Sequence, residues 1–571
     1  MNDSGSEKVK ESVEVDEVSS EAEEELEINC LELEGKNTLV LYPEQVEHFK
    51  RLQAIHSKFP FALDLSMLGS GKTYTATYLA LSEKYKHVIV ICPVSVSSKW
   101  MKMKKDFGLP LRSVLSYQSL RSNKFKQPKH GYLHRRDFSN FVLSEFGILQ
   151  EKEEAEFSTT ANYKKMVEEG LLLILDEIQH IKNISVQFHA ALKMIREITL
   201  TKEDDFNSEG ESGERRDREG LEKIGIKGSS RVLLLSGSPM DKKEHALHLF
   251  RSLGVMTSDR VAQMNIHTRE LEWRGMREIH DFCSELASCP EKAFFESFES
   301  YSFKLFQDVF KFFCSSFMLA VKSDFKLDKK NSYFSVEDDD AEILKRGLKG
   351  LKTASNFDGE VVNIAGGAGA GAAAMAAVTR SLQIIETGKI NLFAKLARRE
   401  LEKTMCKVVV AVNFSETIND LVALLQDFEP LILRGSTSSK KRAEVLEDFA
   451  ENSARKRLLI ANLSVASTGI DLDDKFGDFP RVALVSPNYS TITSYQFGFR
   501  FLRADTKSNT AVHFVFAKYS GKTKENSSDI IEIKVLNALA RKSTIMKEVT
   551  SEQALSHVVF PGDHKDFIED F

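Results

Sequence analysis

Gly69-Ser70-Gly71-Lys72-Thr73 is the first cluster in this sequence whose residue types and spacing suit a defined chemistry. It follows a short apolar run and precedes a helix-like stretch, which is the context that a phosphate-binding loop requires. Glycines let the backbone wrap around phosphate oxygens, and the N-terminus of the next helix directs free N–H groups and its positive dipole end at them. Lys72 would reach the β- and γ-phosphates, and Thr73 would bind Mg²⁺. The strict pattern has glycine where this chain has Ser66.

A pair of carboxylates forms the second cluster. Asp176 and Glu177 follow the aliphatic run 171–175, which we predict to be a buried strand. Two adjacent carboxylates at a strand end suit nucleotide hydrolysis, because one can hold Mg²⁺ through water while the other polarises the attacking water. Acidic pairs are common in exposed loops, but a phosphate loop in the same domain makes that interpretation poor. We therefore predict Asp176 as a metal-binding acid and Glu177 as a catalytic one.

Apolar runs alternate with amphipathic stretches in two regions of the chain. The runs are 61–65, 87–92, 113–116, 171–175 and 231–235 in the first region, and 407–412, 457–461, 481–485 and 511–516 in the second. Such alternation predicts a doubly wound parallel sheet, whose ligand lies at the carboxyl ends of the strands. Phenylalanines at helical spacing separate the two regions. The predicted fold is α/β, with two doubly wound parallel-sheet lobes and a helical insertion between them.

Five segments follow from this pattern. They are an acidic, disordered arm at 1–34, an ATP-binding lobe at 35–255, a helical insertion and linker at 256–380, a second lobe at 381–525, and a C-terminal helix and tail at 526–571. The arm carries 13 Asp and Glu against two Lys, a net charge of −11, so the remainder sums to +5 of the total −6. Such an acidic segment with few apolar residues stays solvated. The mildly basic remainder is compatible with a nucleic-acid partner without arguing for one.

Composition argues against several classes of protein. No apolar run approaches the roughly 20 residues that a membrane span needs, so we expect no membrane association. The acidic start lacks the apolar stretch of a secretory signal. The six cysteines include no C-x-x-C pair, which argues against a zinc ribbon and favours a reducing, intracellular compartment.

The order of motifs resembles that of superfamily 2 helicase-like ATPases, and specifically of the Swi/Snf type of DNA translocase. The resemblance extends from Leu41 to Lys542. It rests on the segments 41–45, 91–100, 116–117, 176–183 and 235–239 in the first lobe, and on 433–437, 467–472 and 496–503 in the second. Lys182-Asn183 is the ending of the acidic motif that is typical of the Swi/Snf type. The chain is also similar to helicase-like proteins of large cytoplasmic DNA viruses, including the poxvirus nucleoside triphosphatase.

This resemblance implies two RecA-like lobes that bind ATP and Mg²⁺ between them. The implied ATP-binding residues are Gln45, which contacts adenine in that family, and Gly69, Ser70, Gly71, Lys72, Thr73, Asp176, Gly469 and Asp471. Arg500 and Arg503 would act as arginine fingers when the lobes close. Ser116 and Tyr117 on one lobe, and Arg434 and Ser436 on the other, would contact nucleic acid. The chain departs from the family's pattern at Gln179, where histidine is usual, at Ser66, and at Ala320-Val321, where a basic pair is usual.

The implied function is an ATP-dependent motor that moves on duplex DNA, acts as a monomer and serves viral transcription or replication. RNA polymerase or other transcription machinery is an expected partner. We expect the protein in the nucleus, or in the host cytoplasm or virion if it is viral. Two alternative functions stay open. One is a helicase that unwinds RNA or DNA strands, and the other is a non-catalytic DNA-binding transcription factor. A nucleotide kinase or small GTPase would not explain the second lobe.

Overall fold

The computed structural model describes residues 30–31, 37–121, 128–143, 149–202, 222–257, 261–264, 271–291, 297–316, 325–354, 368–503, 505–518 and 532–549. Most of the predicted acidic arm, the Ala320-Val321 departure and the tail beyond residue 549 therefore lie outside the described residues. The boundaries predicted for the arm and the tail stay predictions. Cys30 and Leu31, which we assigned to the arm, pair antiparallel with Leu39 and Val40.

Strands and helices alternate through both lobes. The strands in chain order are β1 Cys30–Leu31, β2 Leu39–Val40, β3 Phe61–Asp64, β4 His87–Cys92, β5 Leu111–Ser116, β6 Leu133–Leu143, β7 Leu149–Thr159, β8 Leu171–Asp176, β9 Leu200–Lys202, β10 Glu222–Ile224, β11 Arg231–Leu235, β12 Gln263–Met264, β13 Leu271–Glu272, β14 Cys314–Ser315, β15 Leu327–Ser335, β16 Lys407–Val412, β17 Leu431–Leu433, β18 Leu458–Asn462, β19 Arg481–Val485 and β20 Thr510–Lys518.

The α-helices are α1 Pro43–His56, α2 Lys72–Ser82, α3 Ser97–Phe107, α4 Tyr117–Leu120, α5 Ala161–Glu169, α6 Val186–Thr199, α7 Glu244–Leu253, α8 Arg274–Leu286, α9 Phe298–Phe313, α10 Asp338–Ala354, α11 Ala368–Thr387, α12 Ile390–Lys403, α13 Ser415–Leu424, α14 Ser439–Ala450, α15 Leu463–Ala466, α16 Thr491–Gly498 and α17 Ile533–Val549. Among the described parts of the chain, none of these helices is long and apolar enough to cross a bilayer.

Each lobe is built on a six-stranded parallel sheet, as predicted. The strand orders are β14-β3-β11-β8-β4-β5 in the first lobe and β15-β20-β19-β16-β18-β17 in the second. Strands β4, β8 and β16 are buried along their whole length, which explains their continuous apolar sequences. Because all pairs within each sheet are parallel, the strands of one lobe end at one edge. The polar motifs follow these ends.

The described parts of the predicted insertion at 256–380 pack against one lobe or the other. Phe303, Phe306 and Phe313 of α9 are buried in the first lobe's core, and β14 pairs with β3 of that lobe. The next described strand, β15, pairs with β20 of the second lobe. The phenylalanine stripe packs against the first lobe because an apolar helix face needs an apolar partner.

Three local predictions need correction or completion. The stretch 121–136 is rich in Lys and Arg, which is typical of a loop, but β6 begins at Leu133 and pairs with β7 in a long antiparallel hairpin. Strand β15 was missed, because its sequence Leu-Asp-Lys-Lys-Asn-Ser-Tyr-Phe-Ser carries few apolar residues. The Gly/Ala-rich stretch 365–377 has a sequence that suits either a flexible linker or the start of a helix, and it is helical from Ala368 onwards.

Candidate active site

The phosphate loop joins β3 to α2, as the sequence predicted. Helix α2 begins at Lys72, and the preceding Gly69 and Gly71 have positive φ angles of 83° and 89°. Such backbone conformations are strained for residues with a Cβ atom. A Cβ atom on Gly71 would also displace the Gln45 side-chain amide. The backbone conformation therefore requires glycine at both positions.

Side chains around the loop hold it in this shape. The Lys72 ammonium donates to the carbonyls of Ser66 and Met67 at 2.7 and 3.0 Å. Gln45, in the first turn of α1, donates from Nε2 to the Ser70 carbonyl at 2.9 Å. Thr73 lies half-buried in the first turn of α2. The Ser70 hydroxyl is buried and has no hydrogen-bond partner among the described residues.

A buried layer beneath the loop was missed by sequence reasoning. His48 Nε2 lies 3.1 Å from Asp64 Oδ2, and the Ser66 backbone N–H donates to the other Asp64 oxygen at 2.9 Å. Burial raises the pKa of Asp64, but His48 and Lys72 together outweigh that effect and lower it. An aspartate inside the apolar run Phe-Ala-Leu-Asp-Leu was the available signal. This network anchors Ser66, which departs from the strict pattern.

Asp176 and Glu177 lie at the end of β8. Trp100 donates from Nε1 to Asp176 Oδ2 at 3.0 Å. Burial, helped by the charge of Glu177, raises the pKa of Asp176 to about 6. Glu177 has φ 60° and ψ 58°, a left-handed conformation that non-glycine residues seldom adopt and that is concentrated at functional sites.

Glu177 receives hydrogen bonds from both lobes. Its Oε2 accepts from Gln179 at 2.6 Å and from Gln496 of the second lobe at 2.9 Å. The Ser236 hydroxyl donates to the amide oxygen Oε1 of Gln179 at 2.8 Å. Gln179 therefore connects the acidic motif to Ser236, which begins the 236–239 turn after β11. Gln179, at the position where the resembled family usually has histidine, makes this connection here.

The structure brings both predicted arginines to the same site. Arg500 donates from Nε to the Ser467 carbonyl at 2.8 Å, while its buried Nη2 has no hydrogen-bond partner among the described residues. Burial and Arg503 lower the pKa of Arg500 to about 10, against the opposing effect of the nearby carboxylates. Arg503 Nη1 lies 3.4 Å from the position that a Cβ atom on Gly69 would take. The second lobe thus delivers Arg503 to the phosphate loop.

The two predicted residues around 470 occupy the lobe interface. A Cβ atom on Gly469, whose φ is 67°, would lie 2.8 Å from the Ser95 carbonyl oxygen of the first lobe. Asp471 accepts from Arg503 Nε at 2.8 Å and pairs with Arg503 Nη2 at 2.6 Å. Asp471 therefore orients an arginine. Whether it also touches ATP stays a prediction.

The predicted nucleic-acid residues have different surroundings in the two lobes. Tyr117 is fully buried, donates to the Asp176 carbonyl at 2.9 Å and stacks on His180. This position does not favour a nucleic-acid contact, which stays a prediction for Tyr117. Ser116 caps α4 by accepting from the Ser119 N–H at 3.0 Å. Arg434 donates to Asn419 at 2.7 Å, and Ser436 is exposed in the turn after β17. Contacts by Ser116, Arg434 and Ser436 stay predictions.

The oxygen ligands predicted for Mg²⁺ suit that ion. Among the described residues there is no group of three or more His, Cys, Asp or Glu that could hold a metal by itself. Mg²⁺ is usually bound through one or two carboxylates together with substrate phosphates, which fits the predicted roles of Asp176 and Thr73.

Comparisons with known proteins bear mainly on the second lobe. Residues 388–475 match the helicase conserved C-terminal domain. A 92-residue segment is 29% identical to a putative ATP-dependent RNA helicase, L364, of Acanthamoeba polyphaga mimivirus. That match spans 16% of this chain and 17% of the relative's length.

Two solved structures align with most of the chain at low similarity. The Sulfolobus solfataricus SWI2/SNF2 ATPase core in complex with dsDNA has 15% identity and a TM-score of 0.29, covering 92% of this chain and 98% of that one. S. cerevisiae Dbp5 bound to RNA and ADP BeF3 has 11% identity and a TM-score of 0.39, covering 90% and 92%. Within the second lobe, residues 388–475 match the helicase conserved C-terminal domain, and the motifs of both lobes are similar to those of Swi/Snf-type helicase-like ATPases of superfamily 2.

Proposed function

We propose that the protein is an ATP-dependent motor that moves on nucleic acid. The observation that carries this proposal is the division of one site between two lobes. Gln496 of the second lobe donates to Glu177 of the first at 2.9 Å, and Arg503 lies against the phosphate loop. A site divided in this way is complete only when the lobes meet, so hydrolysis and lobe movement are coupled.

Each group has a role in phosphoryl transfer to water. The loop backbone and Lys72 hold the phosphates, and Glu177 orients and polarises the attacking water. Arg500 and Arg503 stabilise the charge that develops on the transferred phosphoryl group. Asp176 and Thr73 would hold Mg²⁺ together with the phosphates, and the ion would neutralise phosphate charge there. One chain supplies all of these groups, which supports a monomeric motor.

We further propose duplex DNA as the polymer and translocation as the movement. The Swi/Snf-type residues Lys182-Asn183 and the segment 433–437 support this choice. We also propose a role in viral transcription or replication, with transcription machinery as a partner and the host cytoplasm or virion as the location. The segment similar to part of a mimivirus protein is consistent with a viral source. A strand-unwinding helicase would use the same divided site. Displacement of a third strand without separation of a duplex would favour translocation over unwinding.

ATP hydrolysis by the parent and Glu177→Gln proteins tests the proposed chemistry. We expect Glu177→Gln to bind ATP like the parent and to lose about 100-fold or more in turnover, because general-base contributions have that size. Lys72→Ala is the contrasting variant, and its ATP affinity should fall. Hydrolysis by Glu177→Gln at the parent rate would show that the catalytic assignment is wrong.

A further inference from the structure

A lysine is buried behind the arginine-bearing segment of the second lobe. Lys329 on β15 is 5% exposed, and its ammonium nitrogen has no hydrogen-bond partner among the described residues. Burying an ammonium group without such a partner is costly. The surroundings of Lys329 should therefore contain what offsets this cost.

Two aromatic rings lie next to the ammonium group. Lys329 Nζ is 3.7 Å from the centre of the Phe499 ring and 5.8 Å from the centre of the Tyr495 ring. The two rings contact each other edge to face, with 4.9 Å between their centres. A Cβ atom on Gly498 would lie 3.2 Å from Lys329 Cδ, so the lack of a side chain at Gly498 leaves room for the methylene chain of the lysine. All these contacts fall on the segment that leads into Arg500.

The same aromatic pair belongs to a cluster that packs against the phosphate loop. Tyr495 and Phe499 form one apolar cluster with Ile492 and Met546, and Met67 and Leu68 of the loop pack against it. A cation over an aromatic face is attractive, and more so where water is excluded. Lys329 thus supports, from within the second lobe, the surface that meets the first lobe's phosphate loop.

The charged groups near Lys329 do not neutralise it. Its neighbours Asp328 and Lys330 point to the opposite face of β15, because side chains alternate along a strand, and they pair at 2.5 Å. That pair interacts electrostatically with His513 of the adjoining strand β20. From the 491–501 segment, the titratable group that faces Lys329 is the Tyr495 phenol. Burial lowers the pKa of Lys329 to about 7.

We propose that Lys329 is a positioning residue whose charge holds the Tyr495–Phe499 pair against the phosphate loop and thereby places Arg500 in the site. Its catalytic consequence rests on the proposed function. Loss of the proton from Lys329 weakens the hold on the rings. The stimulated ATPase should therefore fall at alkaline pH by way of this residue.

Lys329→Met tests the proposal, with Lys330→Met as the matched control. Methionine has a similar length and packs well on aromatic rings but carries no charge. We expect Lys329→Met to melt at or above the parent temperature. Its polymer-stimulated kcat should be about fivefold lower than the parent value at about pH 6 and equal to it at about pH 8.5, where the parent amine is neutral. Lys330→Met should follow the parent throughout.

Backbone hydrogen exchange gives a readout that does not depend on activity. Amides in 66–70 and 491–501 should exchange faster in Lys329→Met than in Lys330→Met at about pH 6, and equally at about pH 8.5. If no polymer stimulates the parent ATPase, the proposed function fails while the exchange experiment still tests Lys329. Identical exchange and pH profiles in the two methionine variants would overturn the proposal.

Phe499→Leu provides a second test through the ring. This variant keeps Lys329 but removes the aromatic face nearest the lysine charge. The stimulated kcat of Phe499→Leu should therefore not show the fall at alkaline pH that is expected of the parent. Adding Lys329→Met to Phe499→Leu should then change the pH profile no further, since interacting residues are non-additive. Additive effects of the two substitutions would contradict an action through the ring.

Discussion

Glu177 is the residue at which the two lobes and the turn after β11 meet. Its carboxylate accepts from Gln179 and Gln496, and its backbone is held in a left-handed conformation. Strained residues persist where their surroundings over-determine them, and such sites are commonly functional. The site therefore keeps Glu177 in place at the cost of some local stability.

The hydrogen-bonded chain from Ser236 through Gln179 to Glu177 predicts coupled effects on turnover. Gln179→Ala should lower stimulated kcat about tenfold with little change in KM, because it loosens the proposed base, Glu177, without touching the phosphate loop. Ser236→Ala should have a smaller effect and add little in the Gln179→Ala background. Steady-state kinetics of the two single variants and the double variant measure this coupling. Fully additive losses would mean that the chain does not act as a unit.

The raised pKa of Asp176 predicts that the stability of the folded protein depends on pH. Its folded-state pKa of about 6 lies above its unfolded value, so its contribution to stability is present below about pH 4 and is lost as pH rises through 6. The unfolding free energy of Asp176→Asn should therefore be about 1–3 kcal/mol higher than that of the parent at about pH 7.5. The variant should also lose ATPase activity. The advantage should vanish at about pH 4. Denaturant titrations at the two pH values test this, and an equal difference at both would contradict it.

At the scale of elements, the strands with continuous apolar sequences were predictable and the strands with polar sequences were not. Strands β4, β8 and β16 are buried on both faces, so their continuous apolar sequences identify them as strands. Strand β15 carries Lys329 and Lys330 and is specified by its pairing with β20, which no local pattern reveals. His48 was missed for the same reason, because its partner Asp64 becomes a neighbour only in the folded lobe.

The docking of α9 into the first lobe predicts unequal effects of two phenylalanine substitutions. Phe306 is fully buried in the first lobe's core, whereas Phe312 on the same helix is 37% exposed. Phe306→Ala should cost about 3–5 kcal/mol of unfolding free energy, through lost burial and the cavity left behind. Phe312→Ala should cost well under half as much. Chemical denaturation of both variants compares them, and equal, small losses would contradict the assignment of α9 to this core.

At the scale of the whole molecule, each lobe carries half of the site. The phosphate loop and both carboxylates belong to the first lobe, and the arginines with Gln496 belong to the second. Helix α17 adds a connection, since Leu536 and Leu539 lie in the second lobe's core while Met546 joins the cluster that meets the phosphate loop. A polymer bound to both lobes would favour this closed arrangement by its extra contacts.

The ATPase rate of the parent and Arg503→Ala proteins, measured without polymer and with duplex DNA, single strands or RNA, tests the central claim most directly. The parent should hydrolyse ATP slowly alone and at least about tenfold faster with duplex DNA, and the effect should weaken with salt because the contacts are mostly to phosphates. Arg503→Ala should keep DNA binding and lose the stimulation. An ATPase equally fast with and without every polymer would contradict the motor and leave a nucleotidase.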